Sequence, residues 1–467
     1  MNKLVNSIKE AIKLADLKDG MTISFHHHLR NGDYVLNMVL GEISALGIKN
    51  LTVNASSLFD IHKPIVEHIK NKTVTKIATD YVSASLGKIF SEGILENPIE
   101  FRTHGGRPAD IQAGNTPIDI AFIAAPTSDN MGNCTGKSGK SACGSLGYAF
   151  ADAMYAKKVI VITDNLVEYP LSNPSIPEKH IDYVVKVDAI GDPKGIVSGT
   201  TRITRDPIGL IMAAHAAKVI EASGLLKDGF SFQTGAGGAS LAAAKFLKEI
   251  ILKKQIQGSF ALGGITGYMV DMLNAGCFKE LLDVQCFDLN AVESISNNPN
   301  HKEISAIEYA SPNNPDAAVN KLDVVILGAT EIDTDFNVNV HTDSSGYMMG
   351  GSGGHSDTAA GSKLSMIIAP MFRARLPIIT DRVTCVSTPG KDIDVLVTQG
   401  GIAVNPKNTE LRQRLIEANL PIIDILDLKK KVEGITGVPT KLLKGDRKVA
   451  TIIGRNGDIL DNIYNVI

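Results

Sequence analysis

The sequence contains no tryptophan, and Phe and Tyr together make up only 5% of it. A platform of aromatic rings for stacking nucleic-acid bases is therefore not expected. Long basic runs are missing too, and the formal net charge is -3, so the electrostatic footprint of a polyanion binder is absent. No helix-turn-helix segment is evident, and no nucleic-acid partner is expected. The five cysteines (Cys134, Cys143, Cys277, Cys286 and Cys385) are odd in number and include no C-x-x-C pair. That argues against a disulfide framework and against structural-zinc spacing, and it predicts reduced thiols in the cytoplasm. Uninterrupted apolar runs are scarce. Lys3, Lys9, Glu10, Lys13 and Asp16 break up the N-terminal segment, so no signal peptide is expected. The most apolar stretch, 208–226, carries His215, Lys218 and Glu221, and reads as a linking helix rather than a membrane span.

What the chain has is length and repetition. Its 467 residues, 44% of them hydrophobic, are enough for two or three domains. Four anchors recur in one order. Leu17-Lys18-Asp19-Gly20 returns as Leu226-Lys227-Asp228-Gly229, and IDIAFI (118–123) returns as LDVVIL (322–327). VIVITD (159–164) pairs with LPIITD (376–381), and IDYVV (181–185) with IDVLV (393–397). The shared order points to a tandem duplication. Short apolar runs such as 158–163 and 323–327 read as strands buried on both faces of a parallel sheet, and stretches such as 239–253 read as the helices between them. The predicted fold class is α/β: two copies of an open, largely parallel domain, 1–206 and 207–467, with 207–224 as a linking helix and 432–467 as a tail of short strands.

Ligands of open α/β sheets bind beyond the carboxyl ends of the strands, and glycine-rich segments fall there. The sharpest is Thr234-Gly235-Ala236-Gly237-Gly238-Ala239, which opens a helix. Its backbone N–H groups suit an anion or an oxyanion, which makes Gly235, Gly237 and Gly238 catalytic candidates. Further loops are 260–267, 398–406 and the long segment 344–361, a candidate lid. The first copy differs at the matching place, with Phe25-His26-His27-His28-Leu29-Arg30-Asn31. Neighbouring strand residues point to opposite faces, so no metal site is expected from the three histidines. Donors for an anionic substrate are the better reading: His26, His27, His28, Arg30 and Asn31, with Arg107 from HGGRP (104–108). The segment NCTGKSGKS (133–141) is not a P-loop, because its required first glycine would fall on Met131 or Cys134.

These residues together resemble the α subunits of citrate lyases, the citrate:acyl-carrier-protein transferases. The resemblance spans essentially the whole chain. It is carried by SFHHHLRNGD (24–33), FRTHGGRP (101–108), IDIAFIAAPTSDNMGN (118–133), SACGSLGYAFADAMYAKKVIVITD (141–164), FQTGAGGASLAAA (232–244), LLDVQCFDLNAVES (281–294) and VTQGGIAVNP (397–406). The resemblance implies a CoA-transferase-like fold and exchange of acetyl for citryl on the CoA-derived thiol of an acyl carrier protein. It implies a β subunit that cleaves the citryl thioester, a carrier-protein γ subunit, and acetyl-CoA as a surrogate donor. No cofactor bound by this chain itself, a homo-oligomeric state and no membrane partner are expected. Gly263, Gly264, Gly267, Thr398, Gly400, Gly401 and Asn405 are then the residues expected to hold the CoA-derived arm. Many CoA-transferases use a glutamate nucleophile. The matching stretch is read as 261–264, which puts Leu262 at that position and implies direct attack by citrate. Asp288 and Glu293 are the acids that could act in its place, against a structural role for both. Competing expectations are a transferase or hydrolase for citramalate or acetate, and a non-catalytic sensor of acyl-CoA or a sugar phosphate.

Overall fold

Strands such as Ile120–Ala124, Lys158–Thr163, Val324–Leu327 and Leu364–Ile368 are buried along almost their whole length. Such runs need cover on both faces, which a parallel sheet with helices on either side provides. The computed structural model describes residues 2–197, 202–440 and 444–467. It contains two large sheets. Outward in one direction from Thr22–Phe25, the first runs Leu51–Ala55, Val74–Thr79, Ile99–Phe101; in the other it runs Ile120–Ala124, Lys158–Thr163, Tyr183–Lys186, Leu4–Val5. From Phe232–Thr234 the second runs Gly258–Ile265, Phe278–Cys286, His301–Glu303, and on the other side Val324–Leu327, Leu364–Ile368, Val395–Thr398, Gly401–Val404. The two orders coincide over seven strands and differ at the eighth: Leu4–Val5 comes first in the chain and is parallel to its neighbour, whereas Gly401–Val404 follows its neighbour and is antiparallel.

Repeated aspartates do the same work in each copy. Asp119 accepts the Thr22 amide (2.8 Å) and pairs with Lys157, while Asp323 accepts the Ser231 amide (2.9 Å) and pairs with Lys363. Asp182 accepts from Val159 N and Asp394 from Ser365 N. Asp19 and Asp228, of the repeated LKDG, accept from Lys49 N and Gln257 N. Three anchors therefore hold. The fourth does not: LPIITD lies outside the large sheet, in the short strands Leu376–Pro377 and Ile379–Thr380. The counterpart of Lys158–Thr163 is Leu364–Ile368, which likewise follows the lysine paired to the repeated aspartate. Two short apolar strands had matched by composition alone.

The C-terminal tail also departs from expectation. Residues 432–436 belong to the helix Ile425–Thr436, and Lys444–Ile453 with Ile459–Val466 form an antiparallel hairpin. That hairpin extends the first sheet, pairing Ala450–Ile452 in parallel with Ile99–Phe101. The linking helix runs Pro207–Ala222, capped by the Asp206 carboxylate.

The segment 344–361 is a clasp rather than a free lid. Met348 N donates to Ser91 Oγ (2.9 Å), Val82 N to the Gly350 carbonyl (3.1 Å) and His104 N to the Gly353 carbonyl (2.9 Å). It ends in the helix His355–Gly361, where buried Asp357 accepts from Thr103 Oγ1 (2.8 Å) and Gly105 N (2.9 Å). These bonds tie the two domains together. Burial lifts the Asp357 carboxyl to about 6, so the folded chain holds a proton that the unfolded chain releases near the ordinary value. Its contribution is fully present below the unfolded value and declines as pH rises through about 6. Asp357→Ala is expected to cost about 2–4 kcal/mol in urea unfolding. The cost should be about 1–2 kcal/mol larger at pH 5 than at pH 8. A cost that does not change with pH would contradict the role given to this carboxyl.

Candidate active site between the two sheets

The carboxyl ends of both sheets meet at the seam. From the first sheet come 26–31, 56–59, 80–81 and His104; from the second come 233–238, 264–267 and Phe287. Tyr148 and Tyr309 complete the lining. The rings form one stack: His27 lies 4.7 Å from Tyr148 and 5.7 Å from His104, and His104 lies 4.4 Å from Tyr148, centroid to centroid. The Asp80 carboxylate holds His104 Nδ1 at 2.9 Å. Across the seam, Gln285 Nε2 donates to the His27 carbonyl (2.9 Å).

The three histidines do not converge on one point. His26 turns into the first domain, where its Nε2 accepts the Ala124 amide (2.9 Å) and its Nδ1 meets Nδ1 of His28. His27 Nδ1 meets Ser56 Oγ at 2.7 Å. Burial pushes His26 down to about 4 and holds His27 and His28 well below the ordinary imidazole value, so all three rings are neutral near pH 7. Among the described residues, Asp283, Cys286 and His301 form the one cluster with metal-ligand spacing. There Asp283 already accepts from His301 Nε2 (2.9 Å) and Cys286 Sγ (3.0 Å).

Arg30 is the unusual group. It has a left-handed backbone (φ 52°) in the turn Arg30–Gly32. That turn is pressed so closely against 192–195 that a Cβ on Gly32 would lie 2.0 Å from the Asp192 carbonyl oxygen. The guanidinium is sandwiched by one ring from each domain, 5.5 Å from the Phe59 centroid and 4.7 Å from that of Phe287. Its Nη1 is buried with no hydrogen-bond partner, and no acid pairs with it among the described residues. Burial pulls its pKa below the usual value, with nearby Tyr81 and Tyr148 opposing.

The other expected site residues fall differently. Arg107 is not available to a substrate. It is fully buried, paired with Asp152 (2.9 Å), and its Nε donates to Asn54 Oδ1 (2.7 Å). Asn31 is exposed, with its Oδ1 accepting the Ile61 amide (3.0 Å). Asp288 caps the helix Leu289–Asn297, accepting Ala291 N (2.9 Å) and Gly267 N (2.7 Å), and Glu293 faces solvent. Both carboxylates are structural or peripheral.

The glycines separate into two kinds. A Cβ on Gly263 would meet the Gln233 amide at 2.8 Å, one on Gly264 the Phe287 ring at 2.3 Å, and one on Gly267 the Asn290 Cβ at 2.9 Å. Gly400 is pressed on Met371 and Gly401 has φ 146°. Thr398 Oγ1 donates to the Gly401 carbonyl (2.8 Å), and Asn405 Nδ2 to Gly390 and Ile393 carbonyls. The protein's own packing explains all of these. Gly235 and Gly237 differ: no atom lies closer than 3.6 Å to a Cβ built there, and neither has positive φ. They begin the helix Gly238–Lys254 beneath open space. Segment 260–265, expected as a loop, is strand. Leu262 is therefore a core residue, 2% exposed, and the strand-to-helix turn is Thr266-Gly267. Neither residue of that turn is acidic; the carboxylate beside it is that of Asp288, bonded to the Gly267 and Ala291 amides, and Asn290 fills the place where a side chain on residue 267 would go.

The fold is that of CoA-transferase-type proteins. A 4-hydroxybutyrate CoA-transferase from Porphyromonas gingivalis superposes with a TM-score of 0.59 at 18% identity, covering 93% of this chain and 97% of that one. The sequence profile of the citrate lyase alpha subunit (CitF) matches residues 1–466. The chain is 48% identical to the citrate lyase alpha chain of Haemophilus influenzae over 464 residues, 99% of this chain and 93% of the relative. It superposes with a TM-score of 0.98, at 48% identity, on the α subunit of citrate lyase from Streptococcus mutans solved in complex with citrate, covering 100% of this chain and 92% of that one. The chain belongs to the citrate lyase α-subunit family and is a transferase.

The two kinds of glycine make opposite predictions. Gly264→Ala forces the Phe287 ring off Arg30 and should lower Tm by several degrees, about 1–3 kcal/mol of overpacking. Gly237→Ala should leave Tm within about 1 °C, yet reduce acyl exchange about tenfold or more by blocking the ligand's approach. Full activity in Gly237→Ala would show that no ligand touches this loop.

Proposed function

We propose that the chain exchanges acetyl for citryl on the CoA-derived thiol of an acyl carrier protein, releasing acetate, with Arg30 orienting the citrate. The observation that carries this is the clamped guanidinium with no acid to neutralise it. A half-buried cation with no acid paired to it among the described residues is costly, and a polycarboxylate supplies the missing charge. Neutral His27 and Tyr148 beside it offer hydrogen bonds without adding charge, whereas both ring nitrogens of His28 are taken by His26 and the Tyr148 amide. A citrate carboxylate attacks the acetyl thioester carbonyl, and the tetrahedral oxyanion is met by backbone N–H groups of 236–238, the Gly235 N–H being bonded to the Ile326 carbonyl. One such donor is typically worth about 10²–10³ in rate. Collapse expels the thiolate and leaves a mixed citryl–acetyl anhydride. The thiolate then attacks the citryl carbonyl and acetate departs, so every bond broken is matched by one formed.

No step requires an enzyme acyl group, consistent with Thr266-Gly267 at the turn. A buried stack of rings around the anhydride keeps water from hydrolysing it. The partners of this reading are the β subunit and the acyl carrier protein (γ subunit) of a citrate lyase, with acetyl-CoA as a soluble stand-in for the carrier. No cofactor is bound by this chain itself. A homo-oligomer within that complex and a cytoplasmic setting belong to the same reading. The five buried, unpaired thiols suit the latter.

Mixing the chain with acetyl-CoA and citrate should yield acetate and citryl-CoA in equal amounts. Arg30→Ala should raise the KM for citrate about 100-fold, as expected for a lost charge-assisted pair of about 3 kcal/mol, while Arg30→Lys recovers only part. An unchanged citrate KM in Arg30→Ala would overturn the assignment.

A further inference from the structure

The positions first expected to hold the CoA-derived arm, 263–267 and 398–405, are filled by the protein's own side chains and hydrogen bonds. The open side of the glycine loop lies elsewhere. A cavity of about 900 Å³ is lined by Arg202, Arg205, Lys245, Leu210, Ala242 and Phe246, among others. It adjoins the start of the helix Gly238–Lys254. Thr204 N donates to the Gly238 carbonyl (3.1 Å), and a Cβ on Gly238 would lie 2.9 Å from the Arg202 carbonyl oxygen. Lys245 sits two turns further along that helix.

Three cations line this cavity and no acid does. None of the three is in an ion pair among the described residues, whereas the nearby Asp206 carboxylate turns to the Gly209 amide of its own helix (2.9 Å). All three cations are exposed, so they do not hold the fold together. The apolar wall of Leu210, Ala242 and Phe246 suits a flat base, and the cations suit phosphates. The volume is that of a cofactor-sized site. A citrate or an acetate would need neither the wall nor three cations. Gly235 and Gly237, whose openness the protein's own packing does not explain, precede in the same loop the Gly238 against which Arg202 and Thr204 of this cavity pack.

We infer that this cavity binds the nucleoside diphosphate end of the acyl donor, so that the rest of the arm crosses the glycine loop and delivers its thioester to the seam. This rests on the acyl-exchange reading above. The test compares acetyl-CoA with acetyl-pantetheine, which lacks the nucleotide, in the full-length chain and in the charge-reversed Arg202→Glu/Arg205→Glu/Lys245→Glu variant. The wild type should prefer acetyl-CoA by at least about tenfold in KM, and the variant should lose that preference. ADP should compete with acetyl-CoA but not with citrate. A variant that keeps the preference overturns the inference, as does ADP that binds without displacing acetyl-CoA, which would mark a site for free nucleotide. Should no donor support exchange at all, the reading under Proposed function fails on its own. Equilibrium dialysis of ADP then still decides this one: binding by wild type and not by the variant supports the site, and equal or no binding overturns it. The milder Lys245→Ala, checked for an unchanged Tm, guards against loss through misfolding.

Discussion

A guanidinium partly withdrawn from water, with no acid paired to it among the described residues, is a cost that two aromatic faces offset only in part, by about 0.5–2 kcal/mol each. Arg30 is held in that state at the seam of the two domains. Much of the surrounding sequence exists to permit it. Gly32 lets the turn lie against 192–195, and Gly264 leaves room for the Phe287 ring that forms one side of the clamp. Because Phe59 and Phe287 come from different domains, the clamp exists only when the domains are docked. The buried bonds of Asp357, Met348 and His104 across the seam keep them so.

The duplication explains how such a seam arises. Two sheets of matching strand order present the carboxyl ends of their strands to each other, and the repeated aspartates set the same register in both. From that register, His26-His27-His28 stands where the other copy has Gly235-Ala236-Gly237. One copy gives the side chains that the proposed reading turns toward a polycarboxylate. The other gives bare backbone at a helix start, where N–H groups are preorganised for a developing oxyanion. The division of labour is a divergence of one strand-to-helix junction.

The strands, their parallel order and the duplication were legible in the sequence, because buried strands are written as apolar runs and LKDG and the repeated aspartates mark their ends. The glycine loop was legible as a turn that opens a helix, and Arg30 as a cation just beyond the matching junction. What escaped was anything depending on distant partners. Arg107 looked like a substrate donor until Asp152 and Asn54 were seen to occupy it. Gly264 looked like part of a ligand cradle until Phe287 was found over it, and Leu262 stood for a nucleophile position that the strand carries on past. Phe59 and Asp80 lie in no segment that the sequence singles out, and His104, Tyr148 and Phe287 carry no site signal within theirs; only the meeting of the sheets brings them together. The C-terminal hairpin could not be assigned to the first sheet, because no local pattern names the strand it pairs with.

The proposed chemistry makes citrate the nucleophile: the turn Thr266-Gly267 carries no acidic residue, and the Asp288 carboxylate beside it is engaged by the Gly267 and Ala291 amides. Oxygen tracing tests this directly. With enzyme in excess over acetyl thioester and citrate labelled with oxygen-18 in its carboxylates, a single turnover should give acetate carrying one labelled oxygen, the bridging atom of the mixed anhydride. Unlabelled acetate from that first turnover, with label appearing in a carboxylate of the protein, would contradict the account.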